Sequence, residues 1–437
     1  MDTKIQAVYI MNLLVIGSGA REHAIAWRLS SSPQVDRLFM VPGNAGTASI
    51  GTNLPASLGD LEGLARLAVA HSIDLTVVGP EVPLANGIVD LFGELGLTIF
   101  GPTKAAAQIE SSKAFAKELM RAYSVPCPDF RVFHDYHDAY SFLSRHKGPV
   151  VVKADGLAAG KGALVCQGKE EALEALYDCM VARAFGTAGD TVVVEEYLEG
   201  REVSAFAFSD GEHLSPLVAA CDYKRSLDGD AGPNTGGLGS YTPPEFWTPQ
   251  LADCVRQEIM APVVRALAEK ETPYRGLLYA GLMATRDGPK VLEFNCRFGD
   301  PEAQVILPLL KTDLVDVLMA SIQGEVDRLS IEWEQGGCVG VVMASGGYPG
   351  EYTKGLPISG LQDVDSDVLV FHAGTRLADT LGERQVLTDG GRVLTVVGRG
   401  VTLSQARGRV YDNIQRIHFQ DAYYRKDIAL LRKAVAI

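Results

Sequence analysis

The sequence predicts a multidomain protein of the α/β and α+β classes. We expect a doubly wound parallel sheet at the N terminus, a central α+β part with a small lid, and a mixed β domain at the C terminus. The 437 residues correspond to roughly three domains of ordinary size. Strand and helix patterns alternate over residues 12–112, which is typical of a parallel sheet. Pro126 and Pro128 then mark the boundary of a β-rich unit.

The composition is that of a globular protein, with 47% apolar and 22% charged residues. A net charge of −14 argues against a nucleic-acid partner, although local basic clusters can still attract anionic substrates. Seven scattered cysteines without a C-x-x-C pair favour reduced thiols over a disulfide framework or a zinc site. No apolar run reaches membrane-spanning length. These features predict a cytoplasmic protein without a membrane or nucleic-acid partner.

Residues 1–11 are interpreted as an N-terminal extension, because residues 1–10 carry no motif and Met11 is a natural second start. The segment Ala7–Ile16 could be mistaken for the core of a signal peptide. Cleavage after it would remove the first strand of the next domain, so we reject that interpretation.

The domain predicted over residues 12–112 has four strand candidates, each followed by a glycine, proline or polar turn. Ligands of such sheets bind at the carboxyl ends of the strands, where Gly79–Glu81 and Gly101–Thr103 lie. A helix is predicted over residues 104–122. The strand candidates are Leu13–Ile16, Arg37–Val41, Leu75–Val78 and Thr98–Phe100.

The turn Gly17–His23 begins like a dinucleotide fingerprint, but Glu22 stands at the position of the third glycine. The acidic residue expected about 20 positions later is also missing, which disfavours NAD. A glycine-rich turn before a helix can still hold a single phosphate, and Arg21 is well placed to help.

Two strand candidates, 150–152 and Ala163–Cys166, flank a loop with three glycines and two lysines. Its spacing differs from a Walker A motif, because three residues separate Gly156 from Gly160 and Gly162 follows Lys161. We interpret the loop as a flap that closes over a nucleotide, with backbone N–H groups and lysines facing phosphate. The alternative is a tight hairpin turn with solvent-facing lysines.

A second pattern lies at residues 290–302, which begin as a strand. Side chains two positions apart share a face, so Glu293 and Asn295 point the same way with Arg297 close behind. Carboxylate and amide oxygens suit Mg²⁺. Asp300 is predicted to cap a helix with Pro301 as its first residue. The alternative is an edge strand whose polar residues face water.

A third pattern is the connector after strand 192–194, whose backbone can meet an adenine edge while Glu202 meets a ribose hydroxyl. The alternative is a hairpin with exposed glutamates. The loops 221–226 and 232–239 have the glycine-rich, polar character of functional loops, and the alternative is a flexible surface loop. Two later strands are predicted, Cys338–Ala344 and Val393–Val397.

The flap Lys153–Gly162, the connector Glu195–Leu198 and the strand Glu293–Asn295 resemble those of ATP-grasp enzymes. Longer strings resemble one family within them, the phosphoribosylamine–glycine ligases, from Met11 to about Lys426. These strings are Val15–His23, Pro42–Thr47, Val78–Glu81, Gly232–Gly237 and Glu293–Glu302. The resemblance implies an ATP-grasp domain over residues 113–330, with its lid over about 124–194, and a C-terminal domain over residues 331–437.

The resemblance also implies an activity. Such an enzyme joins 5-phosphoribosylamine to glycine through a glycyl phosphate, with ATP as co-substrate and Mg²⁺ or Mn²⁺ as cofactor, in purine biosynthesis. It implies Arg297 and Lys153 as catalytic residues and Glu293 and Asn295 as metal ligands. The implied ATP-binding residues are Lys113, Lys153, Gly156, Gly160, Lys161, Gly162, Glu195, Glu196, Tyr197, Leu198 and Glu202. The implied substrate-binding residues are Gly17, Gly19, Arg21, Glu22, Asn44, Gly79, Pro80, Glu81, Asp222, Lys224, Asn234, Thr235, Gly236, Gly237, Arg297 and Asp300.

Two other functions stay open at this stage. An ATP-grasp carboxylase, acting on a purine intermediate or biotin, would share the flap and the metal strand but lack the Gly232–Gly237 string. A nucleotide-binding module without catalysis would have lost Glu293 or Lys153, and both are present. We expect only small-molecule partners, and a monomer or a weak homo-oligomer.

Overall fold

The computed structural model describes residues 10–158, 162–380 and 383–430. Its N-terminal part is a five-stranded parallel sheet in the order β3-β2-β1-β4-β5. Leu13 packs into one hydrophobic cluster and Leu14 into another, so both faces of the sheet are covered. The elements are β1 Met11–Gly17, α1 Ala20–Ser30, β2 Val35–Pro42, β3 Thr52–Asn53, α2 Leu61–Ala70, β4 Leu75–Val78, α3 Glu81–Asn86, α4 Ile88–Glu94 and β5 Ile99–Phe100.

The helix predicted over residues 104–122 is two helices, α5 Gln108–Ser111 and α6 Lys113–Ala122. Ser112 separates them because its backbone is extended, with φ −133° and ψ 111°. The Ser112 hydroxyl accepts a hydrogen bond from the Phe115 N–H at 3.1 Å and caps α6. The prediction missed this break, since nothing between Lys104 and Arg121 is a glycine or proline.

The small lid is a four-stranded antiparallel sheet in the order β6-β9-β7-β8. Two helices pack on it and share its hydrophobic cluster, which includes Val152, Leu176 and Val194. The elements are β6 Phe130–Phe133, α7 Tyr136–Leu143, β7 Val150–Ala154, β8 Ala163–Cys166, α8 Lys169–Met180 and β9 Val192–Glu196. The flap thus connects two paired strands, as the sequence predicts.

An eight-stranded sheet forms the rest of the body, in the order β16-β15-β10-β11-β14-β17-β21-β18. Between the lid and residue 330, the strands of this sheet and the elements around them are β10 Arg201–Asp210, β11 Val218–Asp222, β12 Arg225–Leu227, β13 Ala231–Asn234, β14 Gly239–Thr242, α9 Pro249–Val255, α10 Ala261–Glu269, β15 Arg275–Thr285, β16 Gly288–Asn295, α11 Ala303–Ile306 and α12 Leu314–Gln323. Strands β12 and β13 form a separate two-stranded ribbon.

The C-terminal strands extend this same sheet, because β17 pairs antiparallel with both β14 and β21. The elements are β17 Gly337–Ala344, β18 Leu369–His372, β19 Thr375–Thr380, β20 Glu383–Thr388, β21 Arg392–Gly400 and α13 Leu403–Ile414. Strands β19 and β20 form a second ribbon. The multidomain fold class is confirmed, while the boundaries of the domains stay a prediction.

The predicted helix start at Asp300 is wrong. Helix α11 begins at Ala303, and Glu302 is the residue before it. Asp300 instead accepts a hydrogen bond from the Gln304 side chain at 2.7 Å. Among the helices of the described ranges, none has both the length and the apolar character needed to cross a membrane.

Candidate functional site

A cavity of about 690 Å³ lies between the lid and the eight-stranded sheet. It brings together residues from six segments that are distant in sequence. The predicted site residues on its wall are Glu81, Lys113, Lys153, Gly156, Gly162, Glu195, Glu196, Tyr197, Leu198, Glu202, Asp222, Lys224, Asn234, Glu293, Asn295 and Arg297. The predicted ATP and metal residues that the structure describes therefore surround one space.

The other predicted residues fall into two groups. Gly160 and Lys161 lie outside the described residues, as do residues 1–9 of the predicted extension. The second group does not line the cavity, and lies around the first turn of the parallel sheet and the loop after β13. It consists of Gly17, Gly19, Arg21, Glu22, Asn44, Gly79, Pro80, Thr235, Gly236, Gly237 and Asp300.

A buried ion cluster joins the lid to the body. The Glu195 carboxylate, on β9, lies 2.9 Å from the Lys153 ammonium and 3.2 Å from the Lys117 ammonium. Lys153 also donates to the Leu292 carbonyl of β16 at 2.9 Å, and Lys117 to the Val291 carbonyl at 3.3 Å. Burial lowers the pKa of Lys117, although the charge of Glu195 acts to raise it. The cluster fixes Lys153 at the wall of the cavity.

The N-terminus of α6 is tied to the start of the flap. The Asp155 carboxylate accepts from the Ala114 N–H at 3.0 Å and from the Ser112 hydroxyl at 3.3 Å. Lys113 donates to the Gly156 carbonyl at 3.0 Å. A carboxylate near the first turn of a helix is stabilised by the exposed N–H groups there. Asp155 therefore fixes the point at which the flap leaves the sheet.

Glu293 and Asn295 offer oxygens suited to a hard divalent cation. Within the described ranges, the Glu293 carboxylate makes no hydrogen bond and no ion pair. Burial would raise the pKa of Glu293, but Lys153, Lys113, Lys224 and Arg297 lower it, so it is ionised at neutral pH. The Asn295 side-chain oxygen accepts from Arg297 at 3.2 Å and keeps a second lone pair. An ionised carboxylate that has no hydrogen-bond or ion-pair partner in the described part of the chain, next to an amide oxygen, fits a bound Mg²⁺ or Mn²⁺.

Arg297 is held by carboxylates from the N-terminal part. Its guanidinium lies 3.3 Å from the Glu81 carboxylate and 3.2 Å from the Glu110 carboxylate. Glu110 also accepts from the Cys296 N–H at 2.8 Å. Burial acts to lower the pKa of Arg297, but the charges of Glu110 and Glu81 outweigh it, and the pKa of Arg297 is raised above its usual value. Arg297 is thus a fixed cation beside the candidate metal ligands.

Lys224 lies between two carboxylates on the wall of the cavity. Its ammonium is 2.5 Å from Glu202 and 3.3 Å from Asp222. Lys224 lowers the pKa of Glu202. Burial raises the pKa of Asp222 to about 7, and the nearby charges of Glu302 and Glu202 raise it as well, against Lys224. Asp222 therefore changes charge near neutral pH.

The predicted connector Glu195–Leu198 begins inside β9, and Glu196, the last residue of that strand, has its backbone donor already in use. The Glu196 N–H donates to the Asp129 carbonyl at 2.8 Å, so a ligand can use only the Glu196 carbonyl. The Glu196 side chain accepts from Lys290 at 3.5 Å and is half exposed. Leu198 is buried against the cavity.

In the turn between β1 and α1, the Glu22 carboxylate binds the groups that a ligand would otherwise contact. The Gly19 N–H donates to Glu22 at 2.6 Å, and Arg21 pairs with the other Glu22 oxygen at 2.6 Å. A Cβ on Gly17 or Gly79 would overlap the Glu22 side chain. A phosphate at this turn would therefore share its donors with a buried carboxylate.

Asn44 has a structural role in the same region. Its amide donates to the carbonyls of Ser18 and His372, at 2.8 and 2.7 Å, and accepts from the N–H groups of Gly46 and Thr47. These bonds join the loop after β2 to the end of β18.

The sequence reasoning missed five residues of this region: Glu110, Lys117, Glu302, Tyr348 and Arg392. Lys117 had a signal, because it lies four positions after Lys113 on α6 and so shares its helix face. Glu302 is buried, and accepts hydrogen bonds from Tyr279 at 2.8 Å and Ser204 at 3.0 Å. The others are far in sequence from the motifs they contact, and no local pattern marks them.

Three family models match consecutive parts of the chain. The phosphoribosylglycinamide synthetase N domain matches residues 11–110, its ATP-grasp (A) domain residues 111–303 and its C domain residues 338–431. Relatives named phosphoribosylamine–glycine ligase show the same similarity over 96% to 98% of the chain. The one from Halalkalibacterium halodurans is 49% identical over 98% of this chain and 98% of its own. The one from Escherichia coli O157:H7 is 46% identical over 96% of this chain and 98% of its own.

Solved structures of other proteins are also similar to this chain. Phosphoribosylamine–glycine ligase from Thermotoga maritima has a TM-score of 0.80 and 32% identity, over 95% of this chain and 99% of that one. The biotin carboxylase domain of 2-oxoglutarate carboxylase from Hydrogenobacter thermophilus has a TM-score of 0.71, over 95% of this chain and 92% of that one. Its 16% identity shows a shared fold alone. From the three matched domains and the similarity along its length, the chain belongs to the phosphoribosylglycinamide synthetase family, whose central domain is an ATP-grasp domain.

Proposed function

We propose that this chain is a phosphoribosylamine–glycine ligase of purine biosynthesis. It forms a C–N bond between glycine and 5-phosphoribosylamine and converts ATP to ADP and phosphate. The observation that carries this proposal is the ionised Glu293 carboxylate, which has no ion-pair partner among the described residues and lies beside Asn295 in a lysine-lined cavity, in a chain similar to such ligases along its length. The fold is shared with biotin carboxylases, but no observation favours a carboxylase.

The reaction has two steps. An oxygen of the glycine carboxylate attacks the γ-phosphorus of ATP, and ADP leaves with the electrons of the broken P–O bond. The amine nitrogen of the ribosylamine then attacks the carbonyl carbon of glycyl phosphate. Phosphate leaves, and the nitrogen gives up one proton. Such phosphoryl transfer depends mainly on positioning and on stabilising charge.

The cavity residues divide this work. Lys113 and Lys153 hold the phosphates, with Lys153 fixed by Glu195. The flap glycines Gly156, Gly160 and Gly162, with Lys161, cover the nucleotide. The Glu196 carbonyl at the end of β9 and the Leu198 N–H meet the adenine edge. Glu195 and Tyr197 lie on either side of Glu196, and Glu202 meets the ribose.

Glu293 and Asn295 would hold Mg²⁺ or Mn²⁺. When bound, that ion neutralises charge on the β- and γ-phosphate oxygens. Arg297 faces the transferred phosphoryl group, since Glu81 and Glu110 fix its guanidinium beside the metal ligands. The remaining predicted residues form the sites of glycine and the ribosylamine, and Asn44 does so by fixing the loop after β2. They are Gly17, Gly19, Arg21, Glu22, Asn44, Gly79, Pro80, Glu81, Asp222, Lys224, Asn234, Thr235, Gly236, Gly237 and Asp300.

A cytoplasmic location and a monomer or weak homo-oligomer are part of the proposal. All seven cysteines are free, which supports a reducing compartment. The proposed substrates and cofactor are small molecules and ions, and the acidic chain supports the absence of a nucleic-acid partner.

A coupled assay of ADP release tests the function. We expect release only when glycine and freshly made 5-phosphoribosylamine are both present, with a product whose mass equals their sum minus water. Bicarbonate is added in place of glycine as the control for a carboxylase. ADP release that needs bicarbonate, or that ignores glycine, would contradict the proposal.

A further inference from the structure

Arg392 lies in the C-terminal part of the chain, and its side chain contacts two segments of the predicted substrate site. It is the first residue of β21. One guanidinium nitrogen lies 2.7 Å from the Asp300 carboxylate. The other donates to the Gly236 carbonyl at 2.6 Å and to the Asp300 carbonyl at 3.2 Å. One side chain therefore joins the strand–helix connector at Asp300 to the glycine-rich loop after β13.

Tyr348 makes a second C-terminal contact to the same loop. Its hydroxyl accepts from the Gly236 N–H at 3.0 Å, while its carbonyl accepts from the Tyr423 hydroxyl at 2.9 Å. A Cβ on Gly236 would lie 3.0 Å from the central carbon of the Arg392 guanidinium. Both backbone groups of Gly236 are thus held by residues from β21 and the loop after β17.

Asp300 faces the first turn of the parallel sheet. Its Oδ2 lies 3.8 Å from the position that a Cβ on Gly19 would occupy. Burial would raise the pKa of Asp300, but Arg392 and Arg21 lower it, so this carboxylate is ionised at neutral pH. Asp300 and Arg392 remain partly exposed, with side-chain exposures of 17% and 23%. An ionised carboxylate, a cation and two glycine-rich turns here suit a small sugar phosphate with an amino group.

This group of residues is separate from the nucleotide cavity. None of Asp300, Gly236 and Arg392 belongs to the cavity wall, which holds Lys153 and Glu293. A change at Arg392 should therefore alter binding of the acceptor amine and leave ATP binding unchanged.

We propose that Arg392 is a positioning residue for the phosphoribosylamine substrate, because it fixes Asp300 and the Gly236 loop in the geometry that this substrate contacts. The proposal rests on the ligase function proposed above. The planar guanidinium supplies separate nitrogens to separate acceptors, which a lysine ammonium cannot reproduce from a single atom.

The test is Arg392→Lys in the full chain, with Arg399→Lys as the matched control. Arg399 lies on the same strand, and its side chain donates to the Pro308 carbonyl at 3.4 Å. For Arg392→Lys we expect the KM for phosphoribosylamine to rise roughly ten- to hundredfold, the range for lost hydrogen bonds to charged groups. The KM for ATP and the kcat at saturating amine should stay within about twofold, as for loss of uniform substrate binding. The control should match the wild type.

Tyr348→Phe is a milder second variant, which loses only the hydroxyl that Gly236 donates to. We expect a rise of about two- to tenfold in the same KM. If Arg392→Lys does not fold, the KM of Tyr348→Phe for phosphoribosylamine tests whether the contacts that fix the Gly236 loop matter for binding of this substrate. An unchanged KM for the amine, or equal rises in the KM values for ATP and the amine, would overturn the proposal. If the wild type needed no amine for ADP release, the ligase function itself would fail, which is a different result.

Discussion

Replacing Glu195 by Gln should destabilise the protein strongly. The substitution removes the carboxylate that Lys117 and Lys153 share, and these side chains are only 2% and 6% exposed. Gln has nearly the volume of Glu, so no cavity forms. Stranding a buried charge costs about 3–5 kcal/mol. We expect a loss of stability within this range. It should not exceed the range, because burial already lowers the pKa of Lys117, and loss of the Lys117 proton would limit the cost.

Urea denaturation of the full chain measures the effect, with Glu199→Gln on the exposed connector as control. The double variant Glu195→Gln/Lys117→Met should be more stable than Glu195→Gln alone, because it removes one stranded cation. If Glu195→Gln cost no more than about 0.5 kcal/mol, the typical effect of a surface change, the ion cluster would not stabilise the lid. A double variant that lost further stability would show that Lys117 acts independently of Glu195.

Three further substitutions test the site and the packing around it. Glu293→Ala should lower kcat by on the order of 10²–10³ with an unchanged melting temperature, because it removes preorganised electrostatic stabilisation; near-normal turnover at limiting Mg²⁺ would disprove the metal assignment. Asp222→Asn should flatten the dependence of stability on pH. Burial raises the pKa of Asp222 to about 7, above its unfolded value of about 4. The stability that Asp222 contributes is therefore lost as the pH rises from about 4 to about 7. Equal slopes of melting temperature against pH in both proteins would contradict this. Gly79→Ala should cost about 1–3 kcal/mol, because its Cβ would overlap Glu22, whereas Gly93→Ala meets no atom within 4 Å and should be neutral or stabilising. Similar unfolding midpoints for the two alanine variants would refute the steric argument.

The sequence predicted most of the secondary structure near the motifs. Strands Leu75–Val78 and Ala163–Cys166 have the predicted bounds, because short apolar runs between glycine turns are strong local signals. The helix break at Ser112 and the start of α11 were mispredicted. A serine cap inside a helical pattern and a proline after an aspartate both allow other local structures, and contacts with Asp155 and Gln304 select among them.

The sequence by itself determined the family and the chemistry proposed for this protein, because the flap, the proposed metal strand and the proposed adenine connector are each contained in a few consecutive residues. Only the tertiary structure decided how those groups are held. Lys117 against Glu195, Glu110 against Arg297 and Arg392 against Asp300 join residues separated by 78, 187 and 92 positions. No local pattern encodes such pairs. The first two pairs form because α6 packs against β9 and α5 packs against β16. The third forms because β21 belongs to the same eight-stranded sheet as β16.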